Sequence, residues 1–374
     1  MIMFNLKTKI SKFEQFSEFA QEFNLNQNDL VITQSFLYEP FMKSLNLPCH
    51  FVMQEKYGNG EPSDEMMNNI LKDIANINYD RVIAIGGGTV IDISKLFVLK
   101  NLTNVTEAFE RKIPIEKEKQ LVIIPTTCGT GSEVTNISIA EIKTKHTKMG
   151  LADDAILADD AVLIPELLKG LPFKFYVFSA IDALIHATES YVSPRANAYT
   201  RLFSKEAIRI ILKVFNNIVK NGEESRLSCL EDILIAANYA GIAFGNAGVG
   251  AVHAMSYPLG ANYHVPHGEA NYQFFTEVFK VYNAKNPEGC IRELNQILSE
   301  ELNADSNNID QIYNNLTTLL NNLISKQPLR AFGMKEEEIS SFAANVIATQ
   351  QRLLKNNYVP MTEEEIKAIY ATLY

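Results

Sequence analysis

The sequence predicts two domains, an amino-terminal α/β domain with a parallel sheet over residues 1–165 and an all-α carboxy-terminal domain over residues 166–374. Short β-branched runs alternate with helical patterns in the first part, which is typical of βαβ units. Long patterns with helical spacing dominate the second part. The change between the two patterns near Pro165 sets the predicted boundary.

The elements of the first part follow from its apolar runs and its capping residues. Ser63 and Asp64 precede the apolar stripe of SDEMMNNILKDIANI, which predicts a capped helix. Further extended segments are expected in AILADDAVLIPE, residues 155–166. Four other runs have the length and the β-branched content of strands: DLVIT (29–33), HFVM (50–53), RVIAIG (81–86) and LVIIPTT (121–127).

The second part is predicted to be mostly helical. Residues 203–222 and 231–248 carry apolar side chains three and four positions apart, which predicts two long helices. The asparagine-rich segment 302–323 keeps a leucine and isoleucine spacing that suits a surface helix. We therefore expect a helical scaffold in this part.

The bulk composition favours small molecules as partners. The 374 residues are 47% hydrophobic and 21% charged, which is enough for a large core. A net charge of −10 without a basic run disfavours nucleic acid and anionic membranes. The amino terminus is amphipathic and soon charged, so no signal peptide is expected, and no run approaches about 18 apolar residues. Its four cysteines are scattered without a C-x-x-C pair, so a reducing cytoplasm is the expected location.

A glycine turn follows the strand RVIAIG. Gly86, Gly87 and Gly88 are followed by Thr89 and by a helical stretch that contains Asp92. Consecutive glycines let a phosphate approach the backbone, and the N–H groups at a helix start attract anions. The turn is neither G-x-G-x-x-G nor a P-loop, so a strand-to-helix turn without a ligand is the alternative.

A hydroxyl-rich loop at residues 126–132, named the threonine loop, follows the strand LVIIPTT. Its hydroxyls can donate hydrogen bonds to phosphate or ribose oxygens, and open parallel sheets bind ligands at the carboxyl ends of their strands. A solvated turn is the alternative. Because two such loops follow two strands of one sheet, a dinucleotide site is favoured. The hydroxyl-bearing candidates are Thr126, Thr127, Thr130 and Ser132.

The helical part contains a group of carboxylates and imidazoles. In SAIDALIHATESYV, the spacing of Asp182, His186 and Glu189 places them on one face of a helix. Buried charge is costly unless it is paired or bound, and a core helix with a neutral histidine is the alternative. One carboxylate with three or four imidazoles suits a divalent transition metal rather than calcium. Three further histidines lie close together in the sequence: His253, His264 and His267.

Five ordered motifs make the chain similar to the iron-containing (group III) alcohol dehydrogenases over essentially its whole length. Stretches such as YAGIAFGNAGVGAVHA and NYHVPHGEANY most resemble a clostridial subgroup that oxidises 4-hydroxybutyrate with NAD. The motifs are GGGT at 86–89, PTTCGTGSE at 125–133, DALIH at 182–186, HA at 253–254 and PHG at 266–268.

The resemblance implies a Rossmann-like first domain and a helical second domain, an architecture shared with the dehydroquinate synthases. It implies NAD as the cofactor and Fe²⁺ as the metal, with Zn²⁺ as the other candidate because zinc generally outcompetes iron at such ligands. We also expect a homodimer or a higher homo-oligomer. Glu189 has no implied role and is interpreted as a paired structural carboxylate. The implied metal ligands are Asp182, His186, His253 and His267.

Two residues depart from the family pattern. Tyr257 stands four residues after His253, where most members have a second histidine, so a histidine proton relay is not expected. Gln34 follows the strand DLVIT, where many members have an aspartate that repels an adenosine 2′-phosphate. Asp92 is a candidate for the nicotinamide amide or the turn amides, and Lys148 for a ribose hydroxyl, with helix capping and surface charge as the alternatives.

The expected chemistry is reversible hydride transfer between NAD(H) and a small alcohol or aldehyde, with the metal as a Lewis acid. The expected pair is 4-hydroxybutyrate and succinate semialdehyde, with Tyr257, His264 or a basic side chain near the carboxylate. A general primary alcohol dehydrogenase of the butanol or 1,3-propanediol type is one alternative. A dehydroquinate synthase-like lyase is another, although its phosphorylated substrate would need a basic cluster that residues 178–272 lack. A metal-stabilised scaffold is the non-enzymatic alternative.

Overall fold

The computed structural model describes residues 2–145 and 147–374, which fall into two compact units. The α/β unit comprises Leu6–Leu171. The helical unit comprises Pro172–Tyr374 together with the first residues up to Asn5.

The α/β unit is built on a parallel sheet. Its strands, among the described residues, are β1 Lys9–Lys12, β2 Asp29–Thr33, β3 His50–Met53, β4 Arg81–Gly86, β5 Gln120–Pro125, β6 Ile137–Ile142, β7 Thr147–Ala152 and β8 Asp160–Leu163. Six of them pair in parallel in the order β1-β8-β5-β4-β2-β3, while β6 and β7 form an antiparallel hairpin. Successive residues of β2 enter two different core clusters, Leu30 and Ile32 one and Val31 the other. Burial on both faces explains why all three of these central residues of the strand are apolar.

Helices of the α/β unit connect the parallel strands. They are α1 Phe16–Glu22, α2 Ser35–Phe41, α3 Asp64–Ile74, α4 Gly88–Leu96 and α5 Val105–Phe109. The predicted cap of α3 is present, because the Ser63 side chain accepts a hydrogen bond from the Met66 N–H. This bond satisfies one of the N–H groups that a helix start leaves without a partner.

The strand order brings the two predicted loops to one edge of the sheet. Gly86 at the end of β4 is in register with Pro125 at the end of β5, and the Thr126 N–H donates to the Gly86 carbonyl at 3.0 Å. The chain passes from β2 outward to β3 and then returns to β4 on the other side of β2. The strand order therefore reverses between β2 and β4, where ligands of open α/β sheets bind.

The helical unit is organised around α6. Its helices are α6 Phe173–Val192, α7 Ala198–Asn221, α8 Leu230–Ala247, α9 Ala251–Tyr263, α10 His267–Lys285, α11 Cys290–Leu302, α12 Ile309–Leu323, α13 Glu338–Thr349, α14 Gln351–Leu354 and α15 Glu363–Leu373. Nearly every residue of α6 from Tyr176 onward is buried, because α7, α8 and α10 pack around it. A helix buried on all sides must be apolar on all sides, so the polar residues of α6 need partners.

One helical segment among the described residues, Glu223–Ala247, is long and apolar enough to cross a membrane by length and composition. Its apolar window is 56% buried inside the structure. The helix α8 in this segment packs against α6 and α7. We interpret it as a core helix of the helical unit.

Some elements differ from the sequence prediction. The run predicted as a strand over 121–127 ends at Pro125, and residues 155–166 contain only β8 as a regular strand. Residues 126–127 lie outside the strand because they form the start of the threonine loop. The strand β1 and the hairpin of β6 and β7 were not predicted.

Candidate metal and cofactor sites

Four of the predicted metal ligands lie together in the helical unit. Asp182 and His186 are one turn apart on α6, His253 lies in the first turn of α9, and His267 is the first residue of α10. One donor atom from each of the four residues lies within 4.8 Å of the others. Three helices therefore contribute one carboxylate and three imidazoles to a single point.

The separations of the donor atoms fit a small divalent ion. The Nε2 atoms of His186 and His253 are 3.0 Å apart. The Asp182 Oδ1 atom lies 3.8 Å from Nε2 of His253 and 3.9 Å from Nε2 of His267. A tetrahedral ion with bonds of about 2.1 Å separates its ligand atoms by roughly 3.4 Å, within this range. Nitrogen and carboxylate donors in this ratio suit iron or zinc.

Asp182 is held in its ionised form. Burial by itself raises the pKa of this carboxyl, but the imidazoles of His186, His267 and His253 outweigh burial, and the pKa lies below its ordinary value. The Asn271 side chain, one turn into α10, donates a hydrogen bond to Asp182 Oδ1 at 2.7 Å. Asn271 thereby fixes the carboxylate in the orientation that faces the histidines.

Glu189 has a role that its sequence pattern did not predict. Its Oε2 atom lies 2.6 Å from His253 Nδ1, and its Oε1 atom accepts the Val252 N–H at 2.8 Å. A carboxylate can only accept, so Nδ1 of His253 carries the proton, and the unprotonated Nε2 presents its lone pair to the other ligands of the cluster. Glu189 therefore caps the start of α9 and orients one of the four candidate ligands. The sequence signal was its position two turns after Asp182 on the same helix face.

We expect Glu189→Gln to weaken metal binding by roughly tenfold to a hundredfold, because the neutral amide holds His253 less firmly and lowers its basicity. Competition with a chelator of known affinity measures this directly. The matched control is Glu206→Gln, which removes the same charge from an exposed position on α7. Equal affinities for the two variants would contradict the orienting role.

Gly268 allows α10 to approach α6 closely. A Cβ atom at this position would lie 2.6 Å from the carbonyl oxygen of Phe178 and 3.1 Å from its carbonyl carbon. These are backbone atoms of a buried helix and they have no room to move. The glycine of the PHG motif is therefore what lets His267 reach Asp182.

One side of the cluster is more open than the others. The His267 side chain is 37% exposed, whereas those of Asp182, His186 and His253 are almost fully buried. The half-buried Tyr257 has its ring centroid 6.4 Å from that of His267. A second half-buried ring, Phe244, stacks on His186 with centroids 4.3 Å apart, and the sequence analysis did not predict this contact.

His264 lies at the carboxyl end of α9. It is exposed and has a φ of 54°, in the left-handed region that ends the helix before Pro266. Its role toward the substrate stays a prediction.

The glycine turn and the threonine loop lie against each other in the α/β unit. A Cβ atom added to Gly87 would lie 3.1 Å from Thr127 Cγ2, and one added to Gly88 would lie 3.0 Å from Thr130 Cγ2. The helix α4 starts at Gly88, so its first N–H groups have no acceptor within the helix. A narrow glycine cradle, free amides and two half-buried threonines fit a diphosphate.

A buried network joins α4 to the threonine loop. The Ser132 hydroxyl donates to Asp92 Oδ1 at 2.8 Å and accepts from Lys95 Nζ at 2.7 Å. The Ile139 N–H donates to the other Asp92 oxygen at 2.9 Å. Burial lowers the pKa of Lys95 to about 8, and burial raises the pKa of Asp92. Asp92 and Ser132 thus already bond to the protein, and their contacts with a nicotinamide or a phosphate stay predictions.

The segment around residue 60 contacts two further cofactor candidates. The Thr89 hydroxyl donates to the Gly60 carbonyl at 2.9 Å. Lys148, on β7, forms an ion pair with Glu61. Lys148 is therefore near the glycine turn through this segment, and its contact with a ribose stays a prediction.

Comparison with known proteins gives matches over both units. Residues 8–165 match the family described as "Iron-containing alcohol dehydrogenase", and residues 176–374 match "Fe-containing alcohol dehydrogenase family, C-terminal". The 4-hydroxybutyrate dehydrogenase of Clostridium kluyveri is 54% identical over 374 residues, which cover 100% of both chains.

Two solved structures share the fold. A 1,3-propanediol oxidoreductase superposes with a TM-score of 0.86 at 23% identity over 100% of both chains. A sulfoacetaldehyde reductase from Bifidobacterium kashiwanohense in complex with NAD⁺ gives a TM-score of 0.84 at 19% identity, covering 99% of this chain and 98% of that one. The predicted fold class, a Rossmann-like part followed by a helical part, is confirmed.

Proposed function

Because the chain belongs to the iron-containing alcohol dehydrogenase family, as its five motifs predicted, we propose that it catalyses the reversible NAD-linked oxidation of 4-hydroxybutyrate to succinate semialdehyde. It is an NAD-dependent alcohol oxidoreductase, which sets aside the lyase and scaffold alternatives. The observation that carries the substrate proposal is the 54% identity, over the full length of both chains, to the 4-hydroxybutyrate dehydrogenase of Clostridium kluyveri.

We propose that residues 166–374 hold the metal, Fe²⁺ or alternatively Zn²⁺, and contact the substrate. A divalent ion bound there supplies Lewis-acid polarisation of the alcohol or aldehyde oxygen. The support is the convergence of four donor atoms, with Glu189 and Asn271 fixing two of the ligands. The proposed ligands are Asp182, His186, His253 and His267.

We propose that residues 1–165 hold NAD. The glycine turn at residues 86–88 and the first amides of α4 receive the diphosphate, and the hydroxyls of Thr127 and Thr130 contact it from the neighbouring loop. The remaining candidates support the site from its edges: Thr89, Asp92, Thr126, Ser132 and Lys148. Holding the cofactor in one position lowers the entropic cost of the hydride transfer.

The open side of the metal cluster suits a short substrate chain. Phe244 and Tyr257 offer apolar ring surface beside His186 and His267, and the Tyr257 hydroxyl is a hydrogen-bond donor. Since Tyr257 stands where most family members have a second histidine, we do not expect a proton relay through an imidazole at this position. We propose that Tyr257, with His264 as a second candidate, contacts the substrate carboxylate.

The substrate assignment is tested with two aldehydes of equal chain length. With NADH as the reductant, we expect succinate semialdehyde to be reduced roughly tenfold to a hundredfold more efficiently than butanal. A charge-assisted hydrogen bond to the carboxylate is typically worth about 1.5–3 kcal/mol, and butanal does not make it. Equal kcat/KM values for the two aldehydes would leave a general primary alcohol dehydrogenase of the butanol or 1,3-propanediol type.

We also propose a homodimer or higher homo-oligomer in the cytoplasm, without nucleic acid or membrane partners. The strand β1 lies at the edge of the sheet, and its Ile10 side chain is 41% exposed. A strand at the edge of a sheet can serve as a template for pairing with a second chain. No disulfide bond joins any of the four cysteines, all of which lie among the described residues, in agreement with a reducing compartment.

A further inference from the structure

The carboxyl end of β2 lacks the acidic residue that many family members have there. Gln34 occupies this position, and its side-chain amide donates to the Gln54 side-chain oxygen at 3.2 Å. Gln54 is itself buried and donates to the Gly58 carbonyl at 2.8 Å. Gln34 is thus tied to the turn that follows β3 and brings no charge to the end of β2.

A carboxylate from the next strand reaches the same place. Glu55 follows β3, the neighbour of β2 in the sheet, where Thr33 and Met53 are in register. Its Oε1 atom accepts the Ser35 N–H at 2.9 Å. Its Oε2 atom has no hydrogen-bond partner among the described residues. The Glu55 carboxylate therefore lies against the backbone of Ser35, the residue that follows Gln34.

Glu55 carries its negative charge at neutral pH. Burial by itself raises the pKa of this carboxyl, but the hydroxyl and the N–H of Ser35 stabilise the ionised form, and the pKa lies below its ordinary value. The backbone N–H of Glu55 and the cation of Lys56 add to this stabilisation of the ionised form.

The end of β2 is where the adenosine ribose lies in dinucleotide-binding sheets of this type. An acidic residue there accepts a hydrogen bond from the ribose 2′-hydroxyl and repels a 2′-phosphate. The neighbouring strand β4 ends in the glycine turn, so the two strand ends border one crevice. The negative charge of Glu55, which lies beside the Ser35 N–H, is therefore on the ribose side of the glycine turn.

We propose that Glu55 is a specificity-determining residue for the cofactor, whose carboxylate replaces the missing acidic group at position 34 and disfavours 2′-phosphorylated nucleotides. The proposal rests on the proposed function, because it requires NAD to bind at the glycine turn. A purely structural role of Glu55, as a cap of α2, would affect NADH and NADPH equally, and this difference makes the two roles separable.

The test measures binding without substrate or turnover. Dissociation constants of NADH and NADPH are determined by fluorescence for the wild type and for Glu55→Gln. We expect the ratio of the NADPH constant to the NADH constant to fall roughly tenfold or more in the variant, with NADH binding changed by less than about threefold. The matched control is Glu39→Gln, which removes the same charge from an exposed site on α2 and leaves the ratio unchanged.

A second variant and a wild-type measurement complete the test. Gln34→Asp in the Glu55→Gln background is expected to restore the discrimination. For the wild type, the affinity for adenosine 2′,5′-bisphosphate relative to that for 5′-AMP is expected to rise with the salt concentration, because salt screens the repulsion. An unchanged ratio in Glu55→Gln, an equal loss for both nucleotides, or a salt-independent wild type overturns the proposal. A wild type that binds neither NADH nor NADPH overturns the proposed function itself.

Discussion

Replacing His253 by alanine is expected to remove both the bound metal and at least about a thousandfold of the turnover, because Lewis-acid catalysis supplies several kcal/mol of barrier reduction. The His253 ring is buried between Glu189 on one side and the other ligands on the other. Its removal takes one of four donors and leaves the Glu189 carboxylate without its partner. Metal content by elemental analysis and NADH consumption with succinate semialdehyde measure the two losses.

The control for this variant is His50→Ala, which removes a histidine from β3 in the other unit and is expected to keep metal and turnover. Circular dichroism distinguishes loss of the metal from loss of the fold. A His253→Ala protein with a full complement of metal and unreduced turnover would show that His253 is not a ligand.

Adding a single methyl group at Gly268 is expected to disrupt the same site. A Cβ atom there would lie 2.6 Å from the Phe178 carbonyl oxygen, a distance that real Cβ atoms do not adopt. The start of α10 must move away from α6, and His267 moves with it. We expect Gly268→Ala to lose at least about a hundredfold in metal affinity, since an outward shift of one ligand resembles the loss of its support.

Gly170→Ala is the matched control for this change, because a Cβ atom at position 170 would meet nothing within 4 Å. Chelator competition on both variants gives the affinities, and thermal unfolding gives the accompanying loss of stability. Unaltered metal affinity in Gly268→Ala would mean that α10 adapts without displacing His267, and the close helix contact would then have no functional meaning.

The central strands were predictable because burial on both faces forces them to be apolar. The strand β1 carries the sequence KISK and is exposed at three of its four positions, so it has no apolar pattern to recognise. In β6 the inward side chains are Ser138, Ala140 and Ile142. Two of these three are small, and the alternation typical of a half-buried strand was therefore hidden.

The candidate site was predictable only in part. The spacing of Asp182 and His186 places them on one helix face, but the positions of His253 and His267 came from the family resemblance. Glu189 and His253 are 64 residues apart, and their contact depends on how α6 and α9 pack. No sequence pattern reports such a contact, and the residue assignments in both units stay predictions until they are tested.

The four proposed ligands lie on α6, α9 and α10, which has a consequence for stability as well as for catalysis. An ion bound by all three helices acts as a cross-link that exists only in the folded state. Binding then adds to the free energy of unfolding in proportion to the logarithm of the metal concentration, about 2.7 kcal/mol at a hundredfold excess over the dissociation constant. The stability of the helical unit is therefore a property of the protein and its metal supply together, and a melting temperature has meaning only at a stated free concentration of the ion.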